Sequence, residues 1–166
     1  MTATTAFLIL DVAGAACALN RTCVSEVLPL PRLHQRPTAG GFLAGFLNLG
    51  GTALPVIDLA RLLGLTSTAP DPHAVNRHLV LDARRSTAFL VDRAEDLVVV
   101  PDSDIRPVER DSTLNGCVEA EFERERSIVH VLSPSRLLSE EERARLAALT
   151  RTASERLAAL DATTDP

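Results

Sequence analysis

Apolar and polar positions alternate over short stretches along this chain, and turn residues divide them. Phe7-Leu8-Ile9-Leu10 predicts a first strand, Ala13-Gly14-Ala15 a turn, Cys17 to Leu19 a second strand, and Val24 to Leu28 a third closed by Pro29 and Pro31. Residues 32–41 are polar or turn-forming and predict a loop. The stretch Gly45 to Gly64, GFLNLGGTALPVIDLARLLG, then compresses strand, tight turn, strand and helical turn into one unit. Gly50-Gly51 suits a two-residue hairpin loop whose central residues need positive φ, and the chain returns as a strand from Ala53 to Leu59. Pro55 gives no N–H to a ladder, so this strand is expected at a sheet edge, or with Pro55 where no hydrogen bond is required. An edge is a place where another protein can dock. Arg61-Leu62-Leu63 makes a short helical turn that Gly64 stops.

After Thr66 to Pro72, TSTAPDP, a run of small residues and proline that reads as a linker, the pattern begins again. Glu26-Val27-Leu28 is echoed by Asp96-Leu97-Val98, Leu43-x-Gly45 by Leu114-x-Gly116, and Val56 with Arg61-Leu62-Leu63 by Val131 with Arg136-Leu137-Leu138. Three echoes in one order predict a duplicated all-β module of roughly 60 residues. Short strands in two small modules imply two barrels, because closure satisfies backbone groups that an open edge exposes. The second copy is less regular: Glu121 to Arg126 replaces Gly-Gly with a longer, charged loop, and Pro134 stands where Leu59 stood.

The C-terminal segment changes period. Ser139-x-x-Glu142 is a capping box, and Leu146, Leu149, Ala153, Leu157 and Leu160 recur three and four apart on one stripe. They predict a helix from Glu140 to Leu160 whose apolar stripe covers either this chain's own barrel or a partner.

Composition narrows the function. At 166 residues, 46% hydrophobic, the chain can bury a core, and with no Trp, no Tyr and five Phe that core must be mostly aliphatic. A net charge of -5 argues against nucleic acid or an anionic membrane as partner. No apolar run of about 20 residues and no signal-like N-terminus is found, so a cytoplasmic protein is expected. Cys17, Cys23 and Cys117, odd in number and without C-x-x-C spacing, fit reduced thiols.

Candidate chemistry is sparse. Asp58 and Asp92 each follow an apolar strand, as paired acid/base carboxylates do, but neither precedes a Thr/Ser-Gly turn, and capping is the simpler role. His34, His73, His78 and His130 lack metal-site spacing. No nucleophile elbow, Walker loop or dinucleotide fingerprint is present, so no enzyme, metal or cofactor is expected. Glu119 to Arg126 reads as a solvated hairpin tip.

GFLNLGGTALPVIDLARLLG resembles the signature G-x-x-N-L-R-G-x-x-x-P-V-x-D-L of the CheW family of bacterial chemosensory adaptors and of the matching regulatory domain of CheA histidine kinases. Gly45, Asn48, Leu49, Gly51, Pro55, Val56, Asp58 and Leu59 fall in register, whereas Gly50 stands where the family carries arginine. The resemblance implies an all-β fold of two small SH3-like five-stranded β-barrels packed together, plus the C-terminal α-helix. It divides the chain into a flexible tail over 1–6, a domain over 7–138 and the helix over 139–160, with a second tail over 161–166. Within the domain the first barrel is expected mainly over 7–65, a linker over 66–74 and the second barrel mainly over 75–138, with strands able to exchange. The implied partners are a chemoreceptor's cytoplasmic tip and a CheA-type kinase regulatory domain, in arrays at the inner membrane. Val24, Glu26, Gly45, Asn48 and Gly50 are expected on the receptor-facing surface, with Leu49, Gly51, Pro55, Val56, Asp58 and Leu59 as structural signature. Gly50 in place of an arginine fork predicts weak receptor binding, an unusual receptor, or service mainly as a kinase partner in a non-chemotaxis system, with affinity for a receptor tip that rises on Gly50→Arg. The alternative is a barrel that binds a small ligand in a pocket lined by Phe7, Phe42 or Phe46, or a partner of a kinase alone.

Overall fold

A computed structural model describes residues 2–33, 41–65, 77–109 and 116–163. The expected linker over 66–74, with His34, His73 and Leu114, lies outside them. Among the described residues eleven strands, β1 (Thr4–Val12), β2 (Ala15–Asn20), β3 (Val24–Pro29), β4 (Leu43–Leu49), β5 (Thr52–Asp58), β6 (His78–Asp82), β7 (Ala88–Val91), β8 (Arg93–Pro101), β9 (Arg106–Pro107), β10 (Val118–Arg124) and β11 (Ser127–Leu132), form two sheets. A short helix α1 (Leu59–Leu62) follows β5, and a long helix α2 (Glu140–Thr163) closes the chain. The first strand starts at Thr4, inside the expected tail, because Thr4 to Ala6 find partners in Val99 to Pro101 of β8.

The larger sheet has the order β8-β1-β2-β11-β10-β9, the smaller β3-β6-β7-β5-β4. Leaving β9 aside, the two are wired alike. Each pairs an antiparallel outer strand with a hairpin (β8 with β1-β2, β3 with β6-β7). Each then adds a second hairpin through a parallel contact, β2 with β11 and β7 with β5. The echoed segments 26–28 and 96–98 therefore occupy equivalent strands, β3 and β8, and Val56 and Val131 sit in equivalent strands β5 and β11. Sheet membership does not follow the halves of the chain: β1-β2 from the start joins strands from the end, and β6-β7 joins β3 to β5.

No closed barrel appears in either strand order among the described residues, yet the larger sheet curls. Three strands lie between β8 and β10, which in a flat sheet would separate them by about 19 Å. Arg124 of β10 nevertheless reaches Asp96 of β8 at 3.2 Å. Bulges between Ile9 and Leu10, Val24 and Glu26, Leu43 and Gly45, and Val118 and Ala120 bend the strands. Each sheet has an apolar cluster of its own. Phe7, Ile9, Val100, Phe122 and Val129 belong to that of the larger sheet, with the Phe7 and Phe122 rings 5.1 Å apart; Leu47, Leu54, Val56, Leu79 and Leu81 belong to that of the smaller. A third cluster, including Leu10, Leu19, Phe46, Ile57 and Val80, forms the seam where the sheets meet.

β5 is not an edge strand. It lies between β4 and β7, and the parallel ladder with β7 begins at Val56, one residue after Pro55. The open edge of the hairpin belongs to β4 instead. The capping box forms in both directions: Ser139 Oγ accepts from the Glu142 N–H at 3.2 Å, and Glu142 Oε1 accepts from the Ser139 N–H at 2.8 Å. α2 runs to Thr163, three residues beyond expectation, and lays Leu146 and Ala153, with Leu149 and Leu157 beside them, on the seam cluster. Ala53 of β5 donates its N–H to Ser154 Oγ at 3.4 Å, so the stripe packs on this chain's own hairpin.

Candidate partner-binding surface

The β4–β5 turn is a two-residue loop, since Leu49 pairs with Thr52, and Gly50 and Gly51 take φ of 61° and 91°. Both values lie where L side chains are strained, which is the reason for the Gly-Gly pair. Asn48 locks the turn by accepting the Gly51 N–H on Oδ1 at 2.8 Å. The signature asparagine thus has a local structural job, whatever else it touches.

Strand register carries this tip to its neighbours. β5 and β7 run parallel with Val56 opposite Ala88, so the Gly50-Gly51 tip and the β6–β7 turn around Arg84 and Arg85 project from the same end of the smaller sheet. β3 starts at that end as well: Val24 pairs with Asp82, and the Ala83 N–H donates to the Cys23 carbonyl at 2.9 Å. The fold therefore brings Val24, Glu26, Asn48 and Gly50 to one end of the smaller sheet, Val24 and Glu26 on its β3 edge and Asn48 and Gly50 on the hairpin at its β4 edge, with Gly45 further along β4 opposite Val56. Asn48 and Gly50 are exposed and Glu26 is half-buried, but Val24 is 8% exposed and Gly45 is buried, so those two shape the floor and present little side chain. Glu26 is paired with Arg85 at 3.1 Å.

The remaining signature residues are internal. Pro55, Val56 and Leu59 are buried and Leu49 is half-buried at the hairpin's end. Asp58, 7% exposed, caps α1 by accepting the Arg61 N–H at 3.3 Å and faces Arg77 at 3.6 Å. Arg77 also lies 3.4 Å from Asp92, whose second oxygen accepts the Ala13 N–H of the β1–β2 turn. The Arg77 Nε makes no hydrogen bond, so the attraction to Asp92 is ionic and not directional. The two carboxylates singled out from sequence do meet, but on an arginine that ties both sheets together. Arg77 carried no sequence signal, because its partners are 19 and 15 positions away.

The other polar candidates also serve the fold. His78 Nδ1 accepts the Ala94 N–H at 3.0 Å and thereby links β6 to β8. Burial pushes the Cys17 thiol up to about 12, with Asp11 and Cys117 adding to the effect, so it stays protonated and a poor nucleophile. Burial raises Cys117 too. Among the described residues no three His, Cys, Asp or Glu side chains converge as a metal site.

Two surface features escaped the sequence. Leu97 and Val99 on β8 are 55% and 65% exposed, and Val27 on β3 is 39% exposed. Leu97 and Val99 lie on the outer strand of the larger sheet and Val27 on the outer strand of the smaller. In the sequence Leu97 and Val99 belong with Val98 and Val100 to one apolar run, which reads as a buried strand. A cleft of about 410 Å³ also opens beside Phe7, Ile105 and Val131, ringed by Asn20, Asp102 and Glu119. Phe46 is 2% exposed in the seam and does not line it.

A family model described as the CheW-like domain matches residues 6–142. The chain is 34% identical over 92 residues to chemotaxis protein CheW of Rhizobium meliloti, a match covering 54% of this chain and 57% of that protein. It is 28% identical over 92 residues to chemotaxis protein CheV3 of Helicobacter pylori, covering 54% of this chain and 29% of the relative. The chain thus matches little more than half the length of the curated CheW proteins it resembles. The crystal structure of scaffolding protein TtCheW from Thermoanaerobacter tengcongensis superposes with a TM-score of 0.72 at 18% identity, over 84% of this chain and 90% of that one. That likeness establishes the shared fold of two sheets and a C-terminal helix.

Proposed function

This chain belongs to the CheW-like domain family, and from that premise we propose that it is a non-enzymatic cytoplasmic adaptor. It couples a chemoreceptor's cytoplasmic tip to the regulatory domain of a CheA-type histidine kinase, in arrays at the inner membrane. The observation that carries this reading is the placement of Val24, Glu26, Asn48 and Gly50 at one end of the smaller sheet, the end that also holds the hairpin whose residues match the family signature. The receptor-facing surface is that end together with Gly45, and Leu97, Val99 and Val27 supply apolar contact on the outer strands β8 and β3. Weak individual contacts suffice, because an array multiplies them through effective concentration.

We read the two sheets as SH3-like barrels with exchanged hairpins, forming one unit over 7–138 to which the helix from 139 adds a covering layer. Support comes from the separate apolar interior of each sheet and from the Arg124–Asp96 contact across the larger one. No helix is long and apolar enough to cross a membrane among the described residues, so array placement would come through partners.

Co-purification of the full chain with a CheA regulatory domain and, separately, with a receptor tip fragment tests the reading. Capture of both supports it, and capture of neither overturns it. A second reading, a small-ligand barrel, draws on the cleft beside Phe7. Saturable binding of a small apolar amine there, in a chain that captures neither protein, would replace the adaptor reading.

A further inference from the structure

The end of the smaller sheet that holds the candidate receptor surface is also where cationic side chains accumulate in a chain of net charge -5. Arg84 and Arg85 sit on the β6–β7 turn, both exposed, and Arg21 lies at the start of β3, where its guanidinium donates to the Val24 carbonyl at 3.1 Å. Against these three stand Glu26 and Asp82. The Asp82 carboxylate is consumed internally: it accepts the Ser86 N–H at 2.7 Å, the Ser86 hydroxyl at 2.8 Å and the Thr87 N–H at 3.3 Å. These bonds fix the turn, and the Arg85 N–H closes it on the Asp82 carbonyl at 3.0 Å. Arg85 is held there at a φ of 54°, a conformation a β-carbon resists. Glu26 takes one side of its fork, while Arg84 has no ion-pair partner among the described residues.

Next to this rigid cationic turn the Gly50-Gly51 tip presents no side chain at all, and a Cβ built on Gly50 would meet nothing within 4 Å. The hairpin is therefore a bare shelf and the adjacent turn holds the charge. We propose that Arg84 and Arg85 are the specificity-determining anchors of this surface, receiving a carboxylate of an acidic side chain on the partner's helical tip while the glycine shelf lets that helix approach. The inference rests on the adaptor reading. A planar guanidinium binds a carboxylate through two parallel hydrogen bonds, which gives direction as well as attraction.

The test uses the full chain with a purified chemoreceptor tip fragment and, as a second ligand, a CheA regulatory domain. The double variant Arg84→Ser, Arg85→Asn removes both charges and keeps at position 85 a residue that tolerates positive φ. It should weaken tip binding about tenfold and flatten its salt dependence, leaving kinase-domain binding unchanged. Gly50→Arg placed in that background should recover part of the loss by restoring a cation on the neighbouring tip. If the double variant melts early, Arg84→Ser alone decides, since it leaves the strained position untouched. Unchanged tip binding, or a loss that Gly50→Arg does not relieve, overturns the inference while the adaptor reading stands. A wild-type chain that captures the kinase domain but no tip fragment overturns the inference and the receptor half of that reading together.

Discussion

The two sheets are wired alike and used differently. β3-β6-β7-β5-β4 matches β8-β1-β2-β11-β10 strand for strand, down to the single parallel contact in each. The equivalent hairpins both end in two-residue loops with positive φ throughout, Gly50-Gly51 in one and Glu125-Arg126, at 49° and 64°, in the other. Even the two buried polar side chains among the described residues, Asp58 and Ser133, stand at equivalent strand ends, each leading into a helical turn. Backbone wiring is thus set by strand pairing and loop length, and tolerates large changes in side chain. The contents of each sheet are then free to diverge: the smaller sheet carries the bare tip and cationic turn, the larger one an aromatic interior and an exposed apolar edge.

The largest effect should come from the interiors. Phe122 is 1% exposed and stacks near Phe7, whereas the smaller sheet has only aliphatic side chains in its interior cluster. Phe122→Ala should cost about 4 kcal/mol, and Leu79→Ala, in the other interior, about 3 kcal/mol. Because the seam cluster joins both sheets, either loss should shift one cooperative urea transition, followed by circular dichroism since the chain has no Trp or Tyr. Two separate transitions would make the sheets independent units and break the comparison at its base.

The buried polar pair sharpens it next. Asp58 has Arg61 at 3.6 Å and Arg77 at 3.6 Å, while Ser133 has only the Ser135 hydroxyl at 3.1 Å. Asp58→Ser would make the smaller sheet imitate the larger, retaining a cap for α1 but leaving Arg77 with Asp92 alone. A loss of about 2 to 3 kcal/mol is expected, smaller than for a fully isolated buried charge. A neutral result would mean that Arg77 swings wholly to Asp92 and that the link between the sheets does not need the carboxylate of β5.

What the sequence revealed follows from distance along the chain. The Gly50-Gly51 hairpin, the β1–β2 turn at Ala13-Gly14 and the capping box at Ser139 and Glu142 were legible because their partners lie within four positions. Of the two places open to Pro55, the edge was excluded only by β7, which covers the far side of β5 and arrives about 30 residues later through a parallel contact that begins just after Pro55. Glu121 to Arg124 looked like loop because it is charged, yet alternate residues face water on β10 while Phe122 fills the interior. The candidate surface was half legible: the signature named Asn48 and Gly50, but nothing local placed Arg84 and Arg85 at the same end of the sheet.

The smallest effect tests the loops. Glu125-Arg126 occupies the same two-residue turn as Gly50-Gly51 with β-carbons that resist it. Left-handed backbone costs a non-glycine residue about 1 to 2 kcal/mol, and glycine returns about 0.5 to 1 kcal/mol of that through its freer unfolded chain. Arg126 is exposed and holds no ion pair among the described residues, so Arg126→Gly should stabilise the protein by roughly 0.5 to 1 kcal/mol. Gly50→Ala should destabilise it by a similar amount, since the same φ requirement is then met by the wrong residue. Thermal melts of the two variants should therefore move in opposite directions by a few degrees at most. If Arg126→Gly lowered the melting temperature instead, its side chain would be contributing a contact that the glycine tip lacks, and the two loops would be alike in backbone only.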